Sequence, residues 1–383
     1  MINRERLLNT FVHLVSIDSP SYQERAMCDE LKSRLLTLGL DLEEDDTAEL
    51  TGSNSGNLIA KLPGTVDIPP ILFCCHMDTV SPALGKRAIV HEDGSITSAG
   101  DTVLGADDMS GVSGILEALQ VIREENIAHG PIEVVFTTCE EVYGKGAENL
   151  DMTKFRARDA YIFDLTGPTG NAAKKAPTII SFSVEIKGKA SHAGFAPEKG
   201  IHAIAVASAA IGKLRFGHID QDTTVNVGTI QGGTATNIVP ESCMVTGEVR
   251  SYSHSKALAE TEHILDVFRA EAEKAGAAVD TSSRICIKAY EMEESSPAVK
   301  RFLRACEEMD VLPVLGETFG GSDLNVFADR GMEGLVLASA MERCHSCKEY
   351  TTVEELCRVA QMALMLMTID AKSLYIERKT GTA

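Results

Sequence analysis

Two short apolar runs in this chain end in side chains for which a core has no use. Ile71-Leu72-Phe73-Cys74-Cys75 runs into His76-Met77-Asp78, and Glu133-Val134-Val135-Phe136-Thr137-Thr138-Cys139 runs into Glu140-Glu141. Runs of this kind read as buried strands. In open α/β sheets the carboxyl ends of the strands are where ligands bind. Imidazole and paired carboxylates at such a place are costly to desolvate unless a cation compensates them, and a metal site is the simplest candidate.

His76 and Asp78 lie on the same side of an extended segment, because side chains alternate with period two. One can bind a metal while the other accepts the second ring N–H; a surface turn with a satisfied histidine is the plain alternative. Gly105-Ala106-Asp107-Asp108 opens a helical pattern. Acids there serve either as N-cap and first-turn groups or as a metal-bridging carboxylate. If one of Glu140 and Glu141 ligates metal, its neighbour points elsewhere and can act as a general base on metal-bound water. Asp164 follows Tyr161-Ile162-Phe163, and His345 lies within Glu342-Arg343-Cys344-His345-Ser346-Cys347. Each segment alone has a bland explanation, but five of them delivering His or Asp/Glu at element ends do not. Such a set of Asp, Asp, Glu and two His is what two zinc-like ions sharing a carboxylate require.

The elements that must position these groups can be read from periodicity. Helical patterns cover Arg4 to Val15, a stretch from a Ser21 cap to about Leu38, and a stretch from about Met109 with Val112, Ile115, Leu116, Leu119 and Ile122 on one face. Strands are expected at 57–62, 71–75, 132–137 and 160–163, so that Asp164 would follow its strand. This alternation predicts an α/β layered domain. From about residue 177 the pattern changes to strand 178–187, an Ala-rich helix 199–214, strands 225–230 and 243–249, a helix 255–275 and a strand 284–288. That β-α-β-β-α-β order is a ferredoxin-like signature. Helices near 298–309 and 353–371 and a strand at 335–338 resume the first domain. The expected division is therefore 1–176 with 291–383, and an inserted 177–290.

A chain of 383 residues suits about two domains. Its net charge of −20 argues against phosphate-backbone and anionic-membrane partners, which want Lys and Arg patches. With no Trp and 5% aromatic residues, base-stacking platforms are not expected either. The ten cysteines do not resemble a disulfide framework, and no run is long enough to span a bilayer. With no signal peptide, a cytoplasmic location with reduced thiols is expected.

These motifs together resemble the M20 family of di-zinc peptidases, and within it the peptidase T-like, tripeptidase-like branch. The resemblance is carried by His76-Met77-Asp78-Thr79-Val80, Gly105-Ala106-Asp107-Asp108, Glu140-Glu141, Asp164, His345, Ser191-His192-Ala193-Gly194 and Gly232-Gly233-Thr234-Ala235-Thr236-Asn237-Ile238-Val239-Pro240, and so spans nearly the whole chain. It implies a zinc-exopeptidase-like domain with a mixed central sheet flanked by helices, and an inserted ferredoxin-like α+β lid and dimerisation domain. By the same resemblance one zinc falls to His76, Asp107 and Asp164, and the other to Asp107, Glu141 and His345. Asp78 would orient His76, Glu140 would be the general base acting on metal-bridged water, and His192 would polarise the scissile carbonyl. Asn237 and Arg250 are candidate substrate binders, since Arg suits a peptide carboxylate through paired hydrogen bonds.

The expected function is thus an aminopeptidase acting on short peptides, chiefly tripeptides, with two Zn2+ (or Co2+ or Mn2+) and a homodimer formed through the inserted domain. A same-fold dipeptidase or N-acyl amino acid deacylase is the alternative. A non-catalytic metal-binding or assembly protein and a thiol-dependent hydrolase are the rivals from other classes. Thiolates are strong zinc ligands. Cys75 and Cys344 adjoin the histidines and are expected to face away, whereas Cys347 shares the parity of His345. Gly320-Gly321-Ser322-Asp323 before a helix could offer N–H groups to an anion.

Overall fold

The computed structural model describes the backbone of residues 1–380 and the side chains of residues 1–371. The chain divides into two units. The first comprises residues 1–174, 291–317 and 322 onward; the second comprises residues 175–290 with 318–321.

The first unit is built on a mixed sheet of nine strands. Reading from one edge, Asp41–Glu44, Leu58–Leu62, Ile132–Thr137, Ile71–His76, Asp159–Thr166 and Glu333–Met341 lie side by side. Strand Ile71–His76 runs parallel to both neighbours, and Glu333–Met341 runs parallel to Asp159–Thr166. Four parallel strands therefore end at one edge. Strands Ile71–His76 and Ile132–Thr137 are buried along their whole length, which is why they read as continuous apolar runs rather than alternating ones. Helix Ala106–Glu125 buries nearly every side chain between this sheet, helix Arg4–Val15 and the last helix, which begins at Val353.

Two expectations are corrected here. Ser21 does not cap the second helix, which starts at Arg25; its hydroxyl instead donates to Asp78 at 2.7 Å. Asp164 does not follow its strand but lies inside it. Phe163 pairs with Leu337 and Leu165 with Ala338, so Asp164 is the extra residue of a bulge. A bulge breaks the alternation of side chains and re-aims one of them.

The second unit is an antiparallel sheet in the order Gly217–His218, Thr223–Gly232, Ser242–Ser251, Thr178–Lys187, Ala278–Ile287. Apart from the two-residue edge strand, this is the ferredoxin-like arrangement. Helices Ala203–Ile211 and His254–Ala275 cover one face, closing a core of Ile180, Phe182, Val184, Ile186, Val245, Val249, Ile264 and Phe268. The Ala-rich helix begins four residues later than its composition suggests, because Pro197–Lys199 forms a separate 3-10 turn and His202 Nδ1 caps the new helix through Ala205 N–H. The last strand starts six residues earlier than expected. Its first half alternates exposed and half-buried residues, with Val279 alone packed against the core, and so carries little apolar pattern. No helix among the described residues is long and apolar enough to cross a membrane.

Candidate metal centre and its surroundings

The parallel strands deliver their terminal acids and imidazoles to a single cluster. His76 is the last residue of its strand and only 2% exposed. Its Nδ1 lies 2.8 Å from the backbone carbonyl of Asp78 and 3.6 Å from that residue's carboxylate. A carbonyl only accepts, so Nδ1 carries a hydrogen there. Nε2 points inward, 3.0 Å from Asp107 Oδ1 and 3.9 Å from Asp164 Oδ1. On the other side of Asp107, Oδ2 is 3.3 Å from His345 Nε2, which is also 3.1 Å from Glu141 Oε2. Asp107 thus stands between the two histidines, one oxygen toward each.

The loops are shaped to do this. Gly105 caps the long helix with φ +82, and Asp107 and Asp108 are not helical, so neither acid serves as an ordinary first-turn group. A Cβ at Gly105 would stand 3.2 Å from Lys86 Cε, in a conformation that side chains rarely adopt. The Asp78 carboxylate does less for His76 than the sequence suggests and more for the acids across the sheet. Its Oδ1 accepts the N–H of Glu140 at 2.9 Å, and its Oδ2 accepts the N–H of Glu141 at 3.2 Å.

Burial sets the electrostatics. Glu140 is pushed well above the usual carboxyl range by desolvation, with Asp323, Glu141 and Asp78 adding to the push. Asp164 is raised by burial and then by Glu140 and Asp107. Asp107 goes the other way. Burial opposes ionisation, but hydrogen bonds from His345 and His76 hold its carboxyl below the usual range. Its hydrogen bonds to Asp107 and Glu141 push His345 up to about 10. His76 is also raised well above an ordinary imidazole: burial opposes its charge, but the hydrogen bond to Asp107 and the Asp78 carboxylate 3.6 Å away outweigh it.

Ligand atoms of His76, Asp107 and Glu141 lie within 4.8 Å of one another, as do those of His76, Glu140 and Asp164. Glu141 Oε1 and Asp108 Oδ1 are buried with no hydrogen-bond partner. Buried carboxylates of this number, with orphaned oxygens and imidazole nitrogens aimed among them, fit divalent cations held by N and O ligands. Neither cluster includes a thiol. Cys347 is exposed, whereas Cys344 is half-buried within reach of the charges of Asp107, Glu349 and Asp164, with its thiol pushed up chiefly by desolvation.

Three buried acids that hold backbone or hydroxyl groups beside the cluster are not marked as such by the sequence pattern. Glu24 accepts the N–H of Cys139 at 3.0 Å, just before the acidic pair. Glu349 accepts the N–H of Gly105 at 2.7 Å and of Asp107 at 2.9 Å. Asp323 accepts the Thr137 hydroxyl at 2.6 Å, so the Gly320–Asp323 segment contributes a buried carboxylate at the head of helix Asp323–Asp329. Of these, only Asp323 lies in a segment that the sequence marks, Gly320-Gly321-Ser322-Asp323 before a helix.

His192, Asn237 and Arg250 belong to the second unit. The His192 loop is bridged to Ile238, and Ala193 N–H donates to the Asn237 carbonyl at 3.0 Å. His192 Nδ1 accepts the N–H groups of Gly194 and Phe195, both at 3.1 Å. Nε2 must then carry the hydrogen, and the ring presents a donor outward. Arg250 spends Nε on Glu248 and Nη1 on the Phe319 carbonyl, which leaves less of the guanidinium for a substrate carboxylate.

A family model for a peptidase dimerisation domain matches residues 176–277, and one for peptidase family M28 matches residues 57–177. The chain is 38% identical to the aminopeptidase PepT of Bacillus cereus, covering 97% of this chain and 99% of that one with a TM-score of 0.88. A Staphylococcus aureus tripeptidase is 34% identical and covers 97% of this chain and 100% of its own, with a TM-score of 0.93. YqjE, an uncharacterised protein of Bacillus subtilis, is 38% identical over 97% of this chain and all of its own length. The chain belongs to the M20 family of peptidases and is a peptidase T-like hydrolase.

Proposed function

We propose that this peptidase is a two-metal aminopeptidase acting on short peptides, tripeptides foremost, with zinc as the ion. The observation that carries the reading is Asp107 standing between His76 and His345, one carboxylate oxygen toward each. In this reading His76, Asp107 and Asp164 hold one ion, and Asp107, Glu141 and His345 hold the other. Bound there, the ions would act as Lewis acids that polarise the scissile carbonyl and lower the pKa of water.

The chain's own groups supply the proton traffic. Glu140 is buried beside the cluster, and its raised proton affinity suits a base that must take a proton from water and return it to the leaving amine. Asp78 fixes the backbone from which Glu140 projects. His192, with Nε2–H as its outward donor, suits stabilisation of the developing oxyanion. Asn237, on the segment paired with the His192 loop, would contact substrate. Arg250 would do so through the part of its guanidinium not already engaged. The dimerisation-domain match supports a homodimer formed through residues 176–277.

The test is metal content together with hydrolysis of a tripeptide panel, a dipeptide panel and an N-acetyl and N-succinyl amino acid panel, before and after chelation. Chelator-sensitive release of N-terminal residues from tripeptides is expected. Turnover confined to the N-acyl panel would replace the aminopeptidase reading with a deacylase one.

A further inference from the structure

We propose that Glu349 is a positioning residue that clamps the Asp107 loop to the His345 loop, preforming the half of the site that those two residues would share. The inference rests on the metal-site reading above. Glu349 is four residues beyond His345 and 1% exposed, and its own N–H closes a turn onto Ser346. Its two carboxylate oxygens are divided between two amides of one loop. Oε2 accepts from Gly105 N–H at 2.7 Å, and Oε1 accepts from Asp107 N–H at 2.9 Å. One buried side chain therefore ties together two segments more than 240 residues apart in sequence.

The neighbouring chemistry favours holding that carboxylate in place. Lys86 is also 1% exposed, donates to Thr79 Oγ1 at 3.0 Å, and feels the charges of Asp18 and Glu349. Its aliphatic stem packs against Gly105, where an added Cβ would stand 3.2 Å from Cε. The Gly105–Asp107 segment is thus fixed from both directions, by hydrogen bonds to Glu349 and by packing on Lys86. Partners that orient metal ligands commonly change metal affinity or activity by about 10–100-fold when removed.

Zinc affinity, measured by competition with a chromophoric chelator, and the melting temperature of the metal-free protein should be compared for wild type, Glu349→Gln, Glu349→Asp and Glu133→Gln. Glu133 is the control. It is a buried carboxylate that takes the N–H groups of Arg156 and Ala157, in the strand whose far end leads to the acidic pair. Positioning predicts that both Glu349 variants bind zinc about 10-fold or more weakly, because the amide loses an acceptor and the shorter acid cannot span both N–H groups. Glu133→Gln should lower the melting temperature and leave zinc affinity alone. Wild-type zinc affinity in Glu349→Gln, or in Glu349→Asp, which keeps the charge but not the clamp, would overturn the inference. A wild-type protein that takes up no zinc would overturn the metal-site reading itself, and the inference with it.

Discussion

Asp78 fixes the His76 tautomer through its backbone carbonyl and holds the acidic pair through its carboxylate. Its carbonyl oxygen is 2.8 Å from His76 Nδ1, while its carboxylate receives the N–H groups of Glu140 and Glu141 and the hydroxyl of Ser21. Asp78→Asn should therefore leave the His76 tautomer in place and disturb the acids instead. An amide in that position puts an NH2 against one of the two N–H groups. We expect kcat to fall by about 10–100-fold with metal still bound. Turnover at the wild-type level would show that the carboxylate clasp is dispensable.

Glu140 and Glu141 are adjacent, yet their substitutions should separate. Glu141 Oε2 meets His345 Nε2 at 3.1 Å, and its other oxygen has no partner, the situation of a ligand. Glu141→Gln should lose metal. Glu140→Gln should keep metal and lose about 10²–10⁴-fold in turnover, the range general-base catalysis contributes. Because Glu140 also lies within ligand distance of His76 and Asp164, metal content must be measured alongside rate. Loss of metal in Glu140→Gln would move this residue from base to ligand.

What could be read before the structure was whatever a local pattern carries. The strands ending at His76 and near Glu140 announce themselves because they are buried throughout, and their apolar runs stop abruptly. The β-α-β-β-α-β order of the second unit follows from periodicity alone, except for the first half of Ala278–Ile287, where Val279 is the one apolar residue packed on the core. Asp164 in its bulge was not legible, since a bulge depends on the partner strand's register. Glu24 and Glu349 were not legible for a related reason. Each acts through amides 115 or more positions away, and an acid in a loop looks the same whether it faces water or clasps a distant backbone.

Metal uptake should release protons and strengthen as pH rises. His345 is pushed up to about 10 by its hydrogen bonds to Asp107 and Glu141, and His76 is raised as well. In the metal-free protein at neutral pH the His345 ring therefore holds a proton that a metal must displace, and His76 is shifted in the same direction. The sign for stability is opposite in the two forms. A histidine raised in the fold above its unfolded value near 6.5 stabilises the metal-free protein fully below that pH, and this contribution fades as pH climbs toward 10. The melting-temperature gap between loaded and metal-free protein should accordingly widen from pH 6.5 to 9. Calorimetric titration in buffers of different ionisation enthalpy checks the proton count. A heat of binding independent of buffer would contradict it.

Arg301 offers a stability prediction well away from the chemistry. It sits in helix Pro297–Glu308 with its side chain 8% exposed, 2.7 Å from Asp159 at the start of its strand and 2.7 Å from Asp370 in the last helix. The Tyr161 hydroxyl lies 3.3 Å from the same guanidinium. Replacing Arg301 by Met leaves two acids facing an apolar stem, and removing one partner of a buried ion pair costs about 3–5 kcal/mol. Activity per folded molecule should be unchanged. Burial opposes ionisation of Asp370, but the charge and hydrogen bond of Arg301 hold its carboxyl below the usual range. Its contribution is therefore present above the unfolded value of about 3.9 and is lost as pH falls through the lower folded value. Urea unfolding of metal-free wild type and Arg301→Met at pH 7 should show the full difference, and the gap should narrow below pH 4. A difference under about 1 kcal/mol at pH 7, the range of an exposed pair, would mean that this network contributes no more than a surface salt bridge.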